Sequence, residues 1–137
     1  MAKILVAEDE ASLREFVQRA LSYHGHDVVA VRDGAEGLHA LLEADPPFDL
    51  LLTDIVMPVM DGIALSLKVA KEFPDLKVLL MTGYAAERQR AHNLEELIFD
   101  VLAKPFTLDE ICERVEEALK ASSLSAKTTT ADKGLTN

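Results

Sequence analysis

The sequence predicts an α/β protein in which helices cover both faces of a doubly wound parallel sheet. Short apolar runs alternate five times with stretches of helical period, which is typical of repeated strand–helix units. The runs are apolar at nearly every position, as expected for strands that are buried on both sides. A helix between consecutive strands lets those strands run parallel. At 137 residues and 49% hydrophobic, the chain suits one globular domain with its own core.

The amino-terminal half of the chain supplies three strands and two helices. Apolar runs at residues 4–7, 28–31 and 50–53 predict the strands. Gly25 is placed to end the first helix, and Pro46 lies just beyond the end of the second. The apolar residues of these helices recur at helical spacing, at Leu13, Phe16, Val17, Ala20, Leu21, Leu38, Leu41 and Leu42. Each helix therefore has one face that can cover the sheet.

The carboxyl-terminal half continues the same alternation. A helix stopped by Pro74 precedes a fourth strand at residues 77–81, and residues 98–103 predict a short fifth strand. The expected apolar face of that helix is carried by Leu67, Ala70 and Phe73. Residues 85–97 are predicted to be helical, but they are largely polar. Such a helix is typically weakly held or presented to a partner.

The last helix has a well-marked start in the sequence. Thr107 is placed as its N-cap, and Glu110 three residues later completes a capping box. Cys112 lies on the apolar face and is expected to be a core thiol. The composition then changes to Ser, Thr, Ala and Lys without apolar periodicity. We therefore expect one domain over residues 1–121 and a disordered, Ser/Thr-rich tail over residues 122–137.

The composition limits the kinds of molecule that the protein is expected to bind and the cellular compartment in which it is expected. The net charge of −10 argues against binding to nucleic acids or anionic membranes, because both require clustered Lys and Arg. Cys112 is the single cysteine, so neither an internal disulfide nor a cysteine-based zinc site is expected. The first apolar run is too short for a signal peptide or a membrane span. We expect a cytoplasmic protein, with a position at the cell pole as a further expectation.

Five polar residues follow the predicted strands. Glu8 and Asp9 follow the first strand, Asp54 the third, Thr82 the fourth and Lys104 the fifth. The expected strand order is 2-1-3-4-5, and ligands of such sheets bind where that order reverses, at the carboxyl ends of strands one and three. We therefore expect these side chains to converge at one edge of the sheet.

These side chains suit phosphoryl transfer. Carboxylates that lie close together repel one another, and Mg²⁺ removes that conflict while it binds a phosphate oxygen. A carboxylate oxygen of Asp54 could then attack phosphorus and form an acyl phosphate. The Lys104 ammonium and the Thr82 hydroxyl could each hold another phosphoryl oxygen. The added negative charge would then change the neighbouring loops.

Each of these residues taken alone has a simpler interpretation. The acidic triplet at residues 8–10 could be a solvated helix start. Asp54 could begin a turn before Pro58. Lys104 could be a surface lysine, and Thr82 could be a turn hydroxyl. Only their conjunction at the ends of neighbouring strands favours a phosphoacceptor site.

Four motifs resemble those of the response-regulator receiver family, over about residues 3–121. They are Ile-Leu-Val-Ala-Glu8-Asp9-Glu, Leu-Leu-Thr-Asp54-Ile-Val-Met-Pro58-Val-Met-Asp61-Gly62, Leu-Met-Thr82-Gly and Ala-Lys104-Pro105-Phe. The resemblance implies a flavodoxin-like (βα)5 fold and transfer of a phosphoryl group to Asp54 from a phosphohistidine on a kinase or phosphotransferase. It also implies Mg²⁺ held by Asp9, Asp54 and the backbone carbonyl of Val56, with Glu8 as an outer acid. A cis peptide bond is expected before Pro105.

The expected switch and output residues are Thr82, Tyr84, Val101 and Pro105. The family usually has Tyr or Phe where this chain has Val101, so a coupled Thr–aromatic switch is in doubt. Glu8 is longer than the Asp that is commoner at its position. Tyr84 could be a core residue or a contact for a partner, and both alternatives stay open.

The stretch from Thr82 to Leu94 resembles a subgroup of single-domain receivers that act as protease adaptors. That resemblance implies that the unphosphorylated form promotes degradation of cell-cycle proteins by ClpXP, and that phosphorylation switches it off. The expected partners are a histidine kinase or phosphotransferase, with the ClpX unfoldase or its substrates. We expect a regulatory protein that is a monomer or a weak dimer.

Other functions of an α/β protein of this type have different requirements. A shuttle or phosphate-sink receiver would need no protease. A flavodoxin-like cofactor site would need Gly, Ser and Thr where residues 8–10 are acidic. A magnesium phosphohydrolase of the haloacid dehalogenase type would usually have a second Asp at the position of Val56, and it would need a cap domain, which a chain of this length is not expected to hold. A receiver with an inactive site would lack the acids or Lys104.

Overall fold

The computed structural model describes residues 1–94 and 96–132, with side chains for residues 1–84, 86–94 and 96–121. Five parallel strands form one sheet in the order β2-β1-β3-β4-β5. The strands are β1 (Lys3–Ala7), β2 (Asp27–Val31), β3 (Leu50–Asp54), β4 (Lys77–Thr82) and β5 (Asp100–Ala103). The predicted fold class and strand order are therefore confirmed.

Five helices alternate with the strands and cover both faces of the sheet. They are α1 (Ala11–Tyr23), α2 (Gly34–Glu43), α3 (Gly62–Glu72), α4 (Ala85–His92) and α5 (Leu108–Asp132). One core packs α1 and α5 against the sheet. The other core packs α2 and α3 against the opposite face, together with Ala91 of α4. Within the described part of the chain, no helix combines the length and apolar composition that a membrane span requires.

Local signals in the sequence set most helix ends. Gly25 has φ +91°, a conformation that glycine adopts without strain, and it follows the last turn of α1. Asp33 and Asp61 each cap a helix by accepting the backbone N–H three residues later at 2.8 Å. The predicted capping box is present, because Thr107 and Glu110 exchange hydrogen bonds of 2.8 and 3.1 Å.

Three apolar residues that the sequence places on the sheet-covering faces of helices are exposed. Phe16 of α1 is 38% exposed, Leu42 of α2 is 59% exposed and Leu67 of α3 is 49% exposed. The buried face of α3 is instead carried by Leu65 and Val69, which are four residues apart. Leu67 is two residues from Leu65, about 200° around the helix axis, so it cannot share that face.

The predicted helix over residues 85–97 is shorter in the structure and ends at His92. Leu94 N–H donates to the carbonyl of Ala91 at 2.9 Å, which is the three-residue spacing of a tightened last turn. The fifth strand correspondingly begins at Asp100, two residues later than expected. The shift is physically reasonable, because this polar stretch has no continuous apolar stripe to prolong the helix.

Helix α5 continues beyond the expected end of the domain and reaches Asp132. Its side chains from residue 122 onward and all of residues 133–137 lie outside the described part of the chain. The disordered tail that the composition indicates for residues 122–137 therefore stays a prediction.

Candidate functional site

Asp54 is buried at the carboxyl end of β3, with 5% of its surface exposed. The end of β1 lies beside it, because Ala7 pairs with Thr53. Ile55 N–H donates to Asp54 Oδ1 at 3.0 Å and orients the carboxylate. The loop after β3 then folds back so closely that a Cβ at Gly62 would overlap the carbonyl oxygen of Asp54. Only glycine fits at that position without a shift of the backbone.

Three carboxylates meet where β1 and β3 end. One oxygen from each of Glu8, Asp9 and Asp54 lies within 4.8 Å of the others. Glu8 is 1% exposed, whereas Asp9 faces solvent. Arg14 of α1 secures the loop, because its guanidinium donates to the backbone carbonyl of Glu8 at 2.9 Å. The cluster therefore consists of oxygen donors and is open to solvent on the side of Asp9.

Lys104 reaches into this cluster from the loop after β5. Its Nζ lies 3.1 Å from Asp54 Oδ1 and 3.2 Å from Glu8 Oε1. The backbone of the lysine is fixed by a 2.7 Å hydrogen bond to the carbonyl of Thr82. The bond between Lys104 and Pro105 is cis, as the family resemblance implies. One ammonium therefore bridges two buried carboxylates from separate strands.

Burial has the largest influence on the pKa values of the Asp54, Glu8 and Lys104 side chains. Loss of hydration raises the pKa of the Asp54 carboxyl, and Asp9 raises it further, while Lys104 partly opposes the change. The pKa of the Glu8 carboxyl is also raised, first by burial. Burial opposes ionisation of Lys104, but attraction to Asp54 and Glu8 outweighs it and raises the pKa of the ammonium. The pocket thus holds more carboxylates than the lysine can neutralise.

This donor set fits a hard divalent cation. Carboxylate oxygens are the ligands that Mg²⁺ prefers, and a cation would relieve the repulsion between Glu8, Asp9 and Asp54. Val56 follows Asp54 by two residues in the adjoining loop, and its side chain is 52% exposed. The backbone carbonyl of Val56 as a further ligand stays a prediction.

Thr82 ends β4 and is 2% exposed, but its hydroxyl is engaged away from the carboxylate cluster. Thr82 Oγ1 lies 2.8 Å from Glu87 Oε1 and 3.1 Å from the carbonyl of Tyr84. A hydroxyl has a single proton, and the shorter contact with a charged acceptor is the stronger one. In this structure Thr82 therefore donates to Glu87 of α4.

The sequence interpretation missed Glu87 as a site residue. It counted this glutamate among the polar residues of a surface helix, yet Glu87 is only 8% exposed. It lines the same cavity as Asp54, Lys104 and Tyr84. Its position five residues after Thr82, in the first turn of the following helix, is the sequence signal that could have indicated the contact.

The remaining predicted switch residues have different surroundings. Tyr84 is 71% exposed, which removes the alternative of a core residue. Val101 is half-buried against the core on the side of α2 and α3. Pro105 is exposed and lines the cavity beside Lys104. Tyr84 and Pro105 line the same cavity as Asp54, and the roles of all three residues in output stay predictions.

Comparison with known proteins agrees with this geometry. The family model of the response regulator receiver domain matches residues 4–116. Response regulator receiver protein CpdR of Brucella abortus (strain 2308) is 40% identical over 122 residues, which cover 89% of this chain and 100% of that protein. Response regulator MprA of Mycobacterium ulcerans (strain Agy99) is 33% identical, and the match covers 89% of this chain and 52% of MprA. This chain thus spans about half the length of MprA.

Solved structures give the same result. A receiver domain protein from Clostridium thermocellum superposes with a TM-score of 0.82 at 27% identity, covering 90% of this chain and 98% of the other. The response regulator TrrA of Thermotoga maritima, solved in complex with Mg(2+)-BeF, superposes with a TM-score of 0.77 at 28% identity, covering 86% and 99% of the two chains. On the strength of its fold, its acidic cluster and these matches, the chain belongs to the response regulator receiver domain family.

Proposed function

We propose that this chain is the phosphoacceptor of a phosphorelay, and that Asp54 receives the phosphoryl group from a phosphohistidine. The observation that carries this proposal is the environment of the Asp54 carboxylate. It is buried at the edge of the sheet, 3.1 Å from Lys104 Nζ and next to the oxygens of Glu8 and Asp9. A nucleophile, a cationic group and a set of oxygen donors for a metal are thereby present in one pocket.

The transfer follows from the positions of these residues. A carboxylate oxygen of Asp54 attacks phosphorus, and the P–N bond of the phosphohistidine breaks with its electron pair returning to the imidazole nitrogen. The new bond makes an acyl phosphate. Lys104 already bridges two carboxylates, and its ammonium can transfer one of these contacts to a phosphoryl oxygen. This movement compensates part of the charge that arrives with the phosphoryl group.

Mg²⁺ is the proposed cofactor. Asp9, Asp54 and the backbone carbonyl of Val56 would hold it, with Glu8 as an outer acid. When bound, the cation would neutralise negative charge on the incoming phosphoryl oxygens. The exposed position of Asp9 supports this assignment, because a cation can enter from solvent on that side.

Incubation with acetyl phosphate or beryllofluoride and Mg²⁺ tests the proposal. We expect one phosphoryl adduct by intact mass, a complex with beryllofluoride by amide shifts, and neither in the Asp54→Asn protein. Asp75→Asn, an exposed acid outside the pocket, is the matched control and should behave as wild type. An adduct that survives Asp54→Asn, or no adduct in wild type, would reject Asp54 as the acceptor.

We further propose that the output is a CpdR-like adaptor function in the cytoplasm, with a position at the cell pole. In this proposal the unphosphorylated protein promotes degradation of cell-cycle proteins by ClpXP, and phosphorylation stops it. The 40% identity to CpdR over that protein's entire length supports it, together with the resemblance of residues 82–94 to such adaptors. Exposed Tyr84, beside the pocket, is a suitable contact for the ClpX unfoldase or its substrates.

A degradation assay with purified ClpXP and a cell-cycle substrate tests the adaptor proposal. The substrate should disappear faster with Asp54→Ala protein than with beryllofluoride-treated wild type. Equal rates would favour the alternative, a shuttle or phosphate-sink receiver without a protease role. Binding of beryllofluoride to Asp54 is measured separately, so failure of the adaptor proposal leaves the phosphoacceptor proposal intact.

A further inference from the structure

Glu87 is an acidic residue in an unusual environment for a surface helix. Its carboxylate is buried in the first turn of α4, where it accepts the Thr82 hydroxyl at 2.8 Å. Among the side chains that the structure describes, no Lys or Arg forms an ion pair with it. A buried carboxylate without a cationic partner depends strongly on its hydrogen-bond donor. Thr82 is therefore important for keeping α4 in this position.

The Thr82 hydroxyl cannot serve two acceptors at once. If it donates to a phosphoryl group on Asp54, the role that the sequence predicts for Thr82, Glu87 loses its donor. The carboxylate would then be left in a poorly hydrated place, at a cost that movement of the first turn of α4 toward solvent would relieve. Phosphorylation at Asp54 and the resting position of α4 thus compete for one proton donor.

Helix α4 buries little of its surface in the part that the structure describes. Among its described side chains, Glu87 and Ala91 are the buried ones. A second contact is the ion pair of Arg90 with Asp61 at 3.2 Å, in which both side chains are partly exposed. Partly exposed ion pairs stabilise a structure only weakly. Among the contacts described for α4, the Thr82–Glu87 hydrogen bond is the one that joins a buried side chain of the helix to the end of β4.

We propose that Glu87 is a positioning residue: it holds the Thr82 hydroxyl away from Asp54 in the unphosphorylated protein, and loss of this hydrogen bond releases α4. This inference rests on the proposed phosphoacceptor function. It assigns the coupling between the pocket and α4 to a carboxylate, in a chain that has Val101 instead of an aromatic residue on β5. Tyr84, which directly precedes α4, would move with it and change the exposed surface.

The test is a double-mutant cycle of beryllofluoride affinity in the presence of Mg²⁺. Glu87→Gln keeps the size of the side chain but removes its charge, so loss of the donor becomes less costly. We expect about 5- to 10-fold tighter binding than wild type, within the range for an unsatisfied buried group. In a Thr82→Val background the same substitution should change the affinity less than about 2-fold, because there is no hydroxyl to exchange.

The cycle separates this role from simple electrostatics. Glu10 also lines the cavity but has no contact with Thr82, so it serves as the matched charge control. Glu10→Gln should change the affinity equally in both backgrounds. If Glu87→Gln also has equal effects with and without the Thr82 hydroxyl, its charge acts directly on the anion and the proposal is wrong. Absence of any binding to wild type would instead reject the phosphoacceptor function on which the proposal rests.

A measurement without beryllofluoride gives an independent result. In the free protein, Thr82→Val removes the donor, and we expect amide hydrogen exchange in residues 86–92 to become at least several-fold faster than in wild type. Exchange in α5 should not change. Unchanged exchange in α4 would show that the hydrogen bond does not hold the helix, and the proposal would then fail even if affinities differ.

Discussion

Helices α4 and α5 flank the same end of the sheet but are held in different ways. Helix α5 starts with a reciprocal capping box and packs apolar residues into the core, namely Ile111, Cys112, Val115 and Ala118. Helix α4 has no side-chain cap, and its described contacts include those of Glu87, Arg90 and Ala91. Apolar burial is insensitive to charge in the pocket, whereas a hydrogen bond from Thr82 is directly linked to it. Because α5 is held by apolar burial, it supports the fold. Because α4 is held in part by the Thr82 hydrogen bond, it can respond to phosphorylation.

Truncation of the core of α5 should have the largest effect on stability. Ile111 is fully buried, so Ile111→Ala should lower the free energy of unfolding by about 3 kcal/mol through lost burial and a new cavity. Urea denaturation followed by circular dichroism measures this change. Arg88→Ala on exposed α4 is the control and should stay within about 0.5 kcal/mol of wild type. Similar losses for the two variants would contradict the distinction between the helices.

The buried carboxylates at the strand ends should make the stability of the protein depend on pH. Because burial raises the pKa of Asp54, the folded protein holds this proton to higher pH than the unfolded chain does. The protonated Asp54 carboxyl therefore stabilises the fold at low pH. This contribution is lost as the pH rises from the pKa that Asp54 has in the unfolded chain through its raised pKa in the folded protein. In metal-free protein, Asp54→Asn should be more stable than wild type at pH 7, and the difference should shrink in acid.

Denaturation of both proteins at several pH values between about 4 and 7 measures this difference. Asp75→Asn, which changes an exposed acid, should show no comparable trend. If the stability of Asp54→Asn relative to wild type instead increases as the pH falls, ionised Asp54 stabilises the metal-free fold. In that case the Lys104 ion pair, at 3.1 Å, would outweigh the cost of burial.

Loss of the ion pair between Arg90 of α4 and Asp61 should have the smallest effect on overall stability. Arg90→Ala removes a partly exposed ion pair with Asp61 and should cost about 0.3 kcal/mol. Amide exchange within residues 86–92 should nevertheless become faster, because the helix buries little of its surface in the part that the structure describes. Arg88→Ala again provides the control on the same helix. A loss above about 1 kcal/mol would show that α4 supports the fold as α5 does.

Local signals explain which parts of the fold were predictable. The period of the apolar residues, Gly25 and the Thr107–Glu110 capping box predicted the succession of elements and most of their ends. The exposure of Phe16, Leu42 and Leu67 was not predicted, because an apolar residue at helical spacing does not show which face the sheet will cover. The end of α4 was missed for a related reason, since a polar segment has no periodicity to mark its last turn.

The hydrophobic pattern of the sequence places acids, a threonine and a lysine at the ends of strands of a parallel sheet. It therefore determined that Glu8, Asp9, Asp54, Thr82 and Lys104 lie at one edge. Which of these side chains are in contact depends on how the helices and loops pack around that edge. Lys104 bridges Asp54 and Glu8, although 96 residues separate it from Glu8, and Thr82 donates to Glu87 of α4. Strand ends follow from local hydrophobic pattern, but partners of buried polar groups depend on the packing of distant segments.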